Sequence, residues 1–371
     1  MSKQIENMKI LEIIEGLGPG GAQRFVVDLS NELSKGNNVS LLSFIKKNRS
    51  DFYEPELSKN VKHLKYKYAL TGINTIKIAL RICRDIKRIK PDIVHLHSRA
   101  FAYCIVASLL FPRIKFYYTV HNVADKDAGN GMGAKLRKFF LKRTIRPVTI
   151  SNYCEQTFKK FYKYDSKGVI ENGCRELSPT PQSEHVTKEI ERLKPTPRTK
   201  VYCCIARFMV QKNHELLIES FNKVIDDGED VLLLLIGDDT SQHAERANSL
   251  KKSVKNPERI IFLGAKHNVV DYLYNSDYFV LSSSWEGLPI TILEAGLSGC
   301  YTVSTPVGGV PDVIDSESIG LLSDDLSFDS FVKVIRKSLT MTYSRDAIKK
   351  YFESKYTMAK CANKYIELFN S

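Results

Sequence analysis

Nowhere in its 371 residues does the chain approach the roughly 20 consecutive apolar residues that a bilayer-spanning helix needs. Its opening, MSKQIENMKI, lacks the apolar core of a signal peptide, because the first hydrophobic run is short and strand-like. These two absences lead to the expectation of a cytoplasmic protein. The eight cysteines (Cys83, Cys104, Cys154, Cys174, Cys203, Cys204, Cys300 and Cys361) never form a C-x-x-C pair and sit mostly in apolar stretches. That excludes a disulfide framework and a clustered zinc site, and points to buried thiols in a reducing compartment. Near the N-terminus there are many glycines, yet no Walker lysine follows them. Internal repeats and low-complexity tracts are absent as well.

What is present is an ordinary globular composition, 43% hydrophobic and 26% charged. The length exceeds what one hydrophobic core serves, so two domains are expected. Charge is uneven. Residues 1–180 hold 32 Lys+Arg against 16 Asp+Glu, and the remainder 23 against 26, so the first half is expected to face something anionic.

Short apolar runs alternate with helical patterns twice over. In the first half the strand-like runs are 9–14, 39–44, 92–97, 115–120 and 147–150, with helices at 22–35 and 73–89 between them. A segment carrying four prolines within 176–199 interrupts the rhythm, which restarts with runs at 201–206, 231–237, 259–264, 277–282 and 301–305. The alternation implies parallel, doubly wound sheets. The expected layout is a Rossmann-like domain over 1–178, a linker over 179–199, a second over 200–345, and a terminal helix over 346–371 packing back on the first. In such sheets ligands bind beyond the carboxyl ends of the strands, and each chemically suggestive motif falls there.

The first motif is GLGPGGAQR (16–24), where Gly20 and Gly21 let backbone approach a ligand at a helix N-terminus. A tight strand-to-helix turn is the equal alternative. The second is Arg207 and Lys212, two cations after the first strand of the second half, suited to a diphosphate. The third is SSSWEGLPITILEAG (282–296). Pro289 suits a first helical position, which leaves Glu286 before the helix and Glu294 within it. The amides between them can take a phosphate, and the carboxylates can accept hydroxyl hydrogen bonds from a sugar and from a ribose.

Together these residues resemble the E-x7-E signature of retaining glycosyltransferases of family 4, which have the GT-B fold. Glu286 and Glu294 match the two glutamates. GPGGAQR, HLHS (95–98), TVHN (119–122), ENG (171–173), the Arg207/Lys212 pair and VGGVPDVI (307–314) follow in the family's order. Asp312 stands where the family more often has glutamate, and Cys174-Arg175 follow Asn172-Gly173 where an aliphatic residue and an aspartate are usual.

The resemblance implies an α/β fold of the GT-B type, two doubly wound Rossmann-like domains with parallel sheets facing across a cleft. It implies transfer of a hexose-type sugar from a nucleotide sugar, UDP- or GDP-linked, to a saccharide or lipid-linked saccharide, with retention and without a metal. Glu286 would bind the sugar, with Gly287, Leu288, Pro289, Ile290 and Thr291 around it, and Glu294 the ribose. Arg207 and Lys212, helped by Gly20 and Gly21, would hold the diphosphate. His121 would contact the transferred sugar near its reacting carbon. Of His95 and His97, read as pointing to opposite strand faces, one is expected to be merely packed. Asp125-Lys126-Asp127 matches a D-x-D metal motif by spelling only, in a loop without a ligand cluster.

KLRKFFLKRTIR (135–146) brings Leu136, Phe139 and Phe140 to helical spacing beside a stripe of Lys135, Lys138, Lys142 and Arg146. An interfacial helix on an anionic membrane and an ordinary helix packed on its own sheet are equally good readings. Rival functions are a nucleotide-sugar epimerase of the same fold and, prompted by the pI of about 9.2, a nucleic-acid binder. No recognisable nucleic-acid module accompanies the basic half.

Overall fold

A computed structural model describes residues 7–45, 51–67, 72–129, 131–238 and 243–371. The chain forms two compact units, residues 1–175 with 358–371, and residues 176–357.

In the first unit β1 (Lys9–Ile14), β2 (Asn38–Ile45), β3 (Lys62–Lys67), β4 (Ile93–His97), β5 (Lys115–Val120) and β6 (Ile145–Thr149) form one sheet in the order β3-β2-β1-β4-β5-β6. Every pairing is parallel. Helices α1 (Gly21–Leu33), α2 (Gly72–Ile89), α3 (Ala100–Leu110), α4 (Ala124–Ala128), α5 (Met132–Arg143) and α6 (Asn152–Tyr162) connect the strands. Central strands buried on both faces read as continuous apolar runs, which is why β1, β4 and β5 were legible. β3, KHLKYK, was not foreseen. It is an edge strand that carries three lysines among its six residues, and its apolar content is too low to register.

The second unit repeats the plan. β7 (Lys200–Ile205), β8 (Val231–Ile236), β9 (Ile260–Gly264), β10 (Tyr278–Leu281), β11 (Tyr301–Ser304) and β12 (Gly320–Leu322) pair in the order β12-β11-β10-β7-β8-β9, again all parallel. Its helices are α7 (Ser183–Leu193), α8 (His214–Asp226), α9 (Ala244–Lys252), α10 (Val269–Tyr274), α11 (Ile290–Leu297), α12 (Val310–Val313), α13 (Phe328–Leu339) and α14 (Arg345–Lys355).

Three expectations change. The span 179–199 is not bare linker, because α7 lies inside it and buries Val186 and Ile190 against β7 and β8 residues. Its prolines flank the helix and do not interrupt it. The single terminal helix over 346–371 is two: α14 belongs to the second unit, and α15 (Met358–Asn370) to the first. Pro289 sits at the N-cap of α11 with extended backbone, one residue before the helix.

Helix α15 is held by specific contacts. Phe369 packs on Tyr117 and His95, Tyr117 Oη donates to the Leu368 carbonyl at 2.9 Å, and Lys115 Nζ donates to the Phe369 carbonyl at 2.9 Å. Because Phe369 is fully enclosed, Phe369→Ala is expected to lower the stability of this unit by about 3–5 kcal/mol, read from urea unfolding.

Candidate active site

In the second unit, the chain leaving β7 and the chain leaving β10 are stitched together. Ser282 Oγ donates to the carbonyls of Lys212 and Asn213, both at 3.0 Å, and the Ser284 amide donates to the Gln211 carbonyl at 2.8 Å. This holds Lys212 Nζ 2.5 Å from Glu286 Oε1. Ser283 Oγ donates to the same oxygen at 2.6 Å, and Gln211 Nε2 reaches Glu286 Oε2 at 3.3 Å. The pair is largely enclosed, with side-chain exposures of 14% for Lys212 and 7% for Glu286. Removing one partner would strand a charge in a poorly solvated place, at a cost of about 3–5 kcal/mol.

A third loop completes the arrangement. Gly308 has φ 61°, and a Cβ there would lie 1.9 Å from the Glu286 carbonyl oxygen. Only glycine allows this approach. The Gly309 amide then donates to the Gly287 carbonyl at 2.7 Å. Glu286 is thus fixed by three loops at once, immediately before the N-terminus of α11. The side chains of Leu288 and Ile290 are buried in the core, so what this segment offers a ligand is backbone. Ile292 donates to the Pro289 carbonyl at 3.2 Å, which leaves the Ile290 and Thr291 amides at the start of α11 without an intrahelical acceptor and with partial positive charge. Glu294 is buried on the first turn and a half of α11, Thr291 is partly accessible, and Arg207 is half-buried in the loop after β7. Of the residues singled out in the sequence, the structure brings Lys212 and Glu286 together. Ser283 and Gln211 were not singled out, and their bonds to Glu286 appear only once the loops are brought together.

In the first unit the ends of β1, β4 and β5 carry a chain of polar side chains. Glu12, fully enclosed in β1, accepts from His97 Nε2 at 2.8 Å and from His95 Nδ1 at 3.2 Å. His97 Nδ1 lies 2.9 Å from His121 Nε2. His95 Nε2 lies 2.7 Å from Thr119 Oγ1, which in turn is 2.8 Å from Tyr365 Oη on α15. Both histidines therefore engage one carboxylate. The expectation that they point to opposite faces is corrected: residues two apart on a strand share a face. Glu12 itself was missed, although a lone carboxylate inside the apolar run KILEII was the available signal. Glu12, His95 and His97 place one donor atom each within 4.8 Å, but these atoms are spent on one another. Gly20 caps α1, Gly21 begins it, and Phe25 of the same helix sets its ring edge-on to His121, 5.4 Å between centroids.

Asp125 and Asp127 lie on the short helix α4, not in a loop. Asp127 accepts from Tyr118 Oη at 2.7 Å and from Arg137 at 2.9 Å, an internal structural pair, while Asp125 is exposed. On α5, Phe140 and Leu141 are buried, and Leu136 and Phe139 are each 47% exposed beside exposed Lys135, Lys138 and Lys142. Arg146 is not part of that helical stripe. It lies on β6 and donates to Tyr117 Oη at 3.0 Å.

Burial alone would push the Glu12 carboxyl up, but the charge and hydrogen bonds of His95 and His97 outweigh it and bring it to about 2. Burial brings the His97 imidazole down to about 4 and that of His214, on α8, to about 3, and it holds His121 well below its ordinary value. All four shifts are downward, so the unfolded chain binds more protons than the folded one. The imidazole contribution to stability is present at neutral pH and is lost as pH falls from about 6.5 towards 4, with Glu12 adding its loss between about 4.5 and 2. The urea midpoint is expected to drop on going from pH 7 to 5.5, at about 1 kcal/mol per buried imidazole. An unchanged midpoint would contradict their burial as neutral rings.

Comparison with known proteins fits this geometry. Residues 186–355 match the family described as glycosyl transferases group 1, and residues 19–175 match glycosyltransferase family 4. An Escherichia coli protein named UDP-Gal:alpha-D-GlcNAc-diphosphoundecaprenol alpha-1,3-galactosyltransferase is 24% identical over 90% of this chain and 87% of its own. Among solved structures, a glycosyltransferase from Rickettsia africae superposes with a TM-score of 0.81 at 20% identity, over 98% of both chains. Anabaena HepE in complex with UDP and glucose does so with a TM-score of 0.80 at 15% identity, over 98% of this chain and 100% of its own. At those identities the structural likeness establishes the fold, GT-B with two Rossmann-like domains. With both units matched in their own register, the chain belongs to the group 1, family 4 glycosyltransferases.

Proposed function

We propose that the enzyme transfers a hexose-type sugar from a nucleoside diphosphate, a UDP-sugar first among candidates, to a saccharide or lipid-linked saccharide, with retention of the anomeric configuration. The observation that carries this reading is the enclosed Lys212–Glu286–Ser283 cluster set directly before the N-terminus of α11. It pairs a cation and a helix terminus for phosphate with a carboxylate for sugar hydroxyls. The named activity of the E. coli relative and the UDP and glucose held by HepE support the choice of donor and acceptor class.

In this reading Arg207 and Lys212, with the amides of the Gly287–Thr291 segment, take the diphosphate, and Glu294 accepts from the ribose. Glu286, relieved of part of its bond to Lys212, accepts from the sugar. By the family resemblance, Gly20 and Gly21 are assigned to phosphate and His121 to sugar. The bond from the anomeric carbon to phosphate oxygen breaks as the acceptor oxygen bonds that carbon on the same face. The acceptor's proton passes to the departing phosphate. Charge grows on the leaving group, where the two cations and the α11 terminus stabilise it, and no metal is required. The product is assigned to a bacterial surface saccharide made at the cytoplasmic side of the membrane.

Thermal shifts with UDP, GDP, ADP and CMP separate the donor classes. A ligand at a hundred times its Kd stabilises by about 2.7 kcal/mol, so UDP is expected to give a shift that Glu294→Ala abolishes. Arg207→Ala is expected to lower kcat/KM by about two to three orders of magnitude. Near-normal turnover by that variant would remove Arg207 from the mechanism.

A lipid-linked acceptor would bring the enzyme to a membrane. Among the described residues no helix is long and apolar enough to cross one. The proposed contact is peripheral, through α5, where exposed Leu136 and Phe139 stand among exposed lysines. Each basic residue near an anionic surface contributes about 1 kcal/mol. Flotation with vesicles is expected to recover the protein with acidic lipid and not without it, and equal recovery would count against the contact.

A further inference from the structure

The geometry points to Glu12 and His97 as positioning residues that hold His121 in one tautomer, with the proton on Nε2 and the lone pair on Nδ1. The inference rests on the proposed contact between His121 and the transferred sugar, and it states which kind of contact that is.

An ionised carboxylate only accepts hydrogen bonds. Glu12 is fully enclosed, and its partners His97 Nε2 and His95 Nδ1 stand at 2.8 and 3.2 Å. Both ring nitrogens therefore carry protons. With its proton committed to Nε2, neutral His97 has only a lone pair on Nδ1 to offer. His121 Nε2 lies 2.9 Å from that atom and so must be the donor. A neutral ring with a proton on Nε2 bears its lone pair on Nδ1. The low values of Glu12, at about 2, and of His97, at about 4, agree with these states at neutral pH, and burial keeps His121 uncharged.

The surroundings leave the rings little freedom. His95 is pinned at its other nitrogen by Thr119, and Thr119 by Tyr365, so α15 closes one end of the network. Phe25 closes the other, edge-on to His97 and to His121 at 6.1 and 5.4 Å. Two histidines on one carboxylate, each engaged through both of its nitrogens, are more than sheet packing requires. An apolar β4 would have been the simpler core.

The consequence is a specificity statement. His121 Nδ1 can accept a hydrogen bond from a sugar hydroxyl and cannot donate one to a phosphate or a carbonyl. The site therefore demands a hydroxyl at the position His121 faces. A deoxy sugar lacking it leaves that acceptor unpaired and is turned over more slowly.

The test is a long-range proton–nitrogen NMR spectrum of the full-length protein with labelled histidine, the His121 signals being assigned by their loss in His121→Gln. Neutral His121 with Nε2 protonated at pH 7.5 supports the inference, while a proton on Nδ1 or on both nitrogens overturns it. Kinetics supply the second arm. His97→Leu is expected to lower kcat/KM about ten- to a hundredfold, as removing an orienting partner does elsewhere. His97→Gln should recover much of that loss, because its amide can both donate to Glu12 and accept from His121. Equal, near-normal turnover by the two variants would overturn the positioning role and leave the transferase reading standing. Absence of sugar transfer by the wild type would sink that reading instead, while the NMR result still decides the tautomer.

Discussion

In each unit all six strands run one way, and that constraint organises the rest. A parallel pair cannot be closed by a hairpin, so every strand must be followed by a crossover, and the loops leaving the carboxyl ends gather on one edge of the sheet. Residues far apart in the chain therefore become neighbours without any special device. Gln211, Glu286 and Gly308 meet because β7, β10 and β11 lie side by side. Glu12, His97 and His121 meet because β1, β4 and β5 do.

The two edges solve the same problem differently. Each holds a carboxylate in a place too enclosed for water to solvate it. In the second unit the remedy is a cation, Lys212, with a serine hydroxyl and an amide. A cation can exchange one anion for another, which suits a site that must admit a diphosphate and later release it. In the first unit the remedy is two imidazoles. Imidazoles pass directional information along, because a proton committed to one ring nitrogen dictates what the other can do. One edge is built for charge exchange and the other for hydrogen-bond direction.

Much of this was legible in the residues. The central strands announced themselves as apolar runs, since strands covered on both faces are built mostly of apolar residues. Glu286, Glu294, Arg207 and Lys212 stood out as charges at strand ends and helix starts. Other features were hidden for physical reasons. β3 is an edge strand with three lysines among its six residues, and its pattern is that of a solvated segment. Helix α7 is short and flanked by prolines, so composition argued for linker where packing on β7 and β8 made a helix.

What the sequence by itself determined is the set of parts: two βα series, glycines where backbone must come close, and the order of motifs by which the family is recognised. Those are local properties, set by periodicity and by what each residue type permits its own backbone. Only the tertiary structure decided which polar groups answer one another. That Glu12 is shared by two histidines, that Lys212 lies on Glu286, and that α15 returns to brace the first sheet through Tyr365 and Phe369 all depend on strand order and register. A hydrogen bond is made or lost over a few tenths of an ångström. Separation along the chain says nothing on that scale, and the packing of one strand against the next settles it.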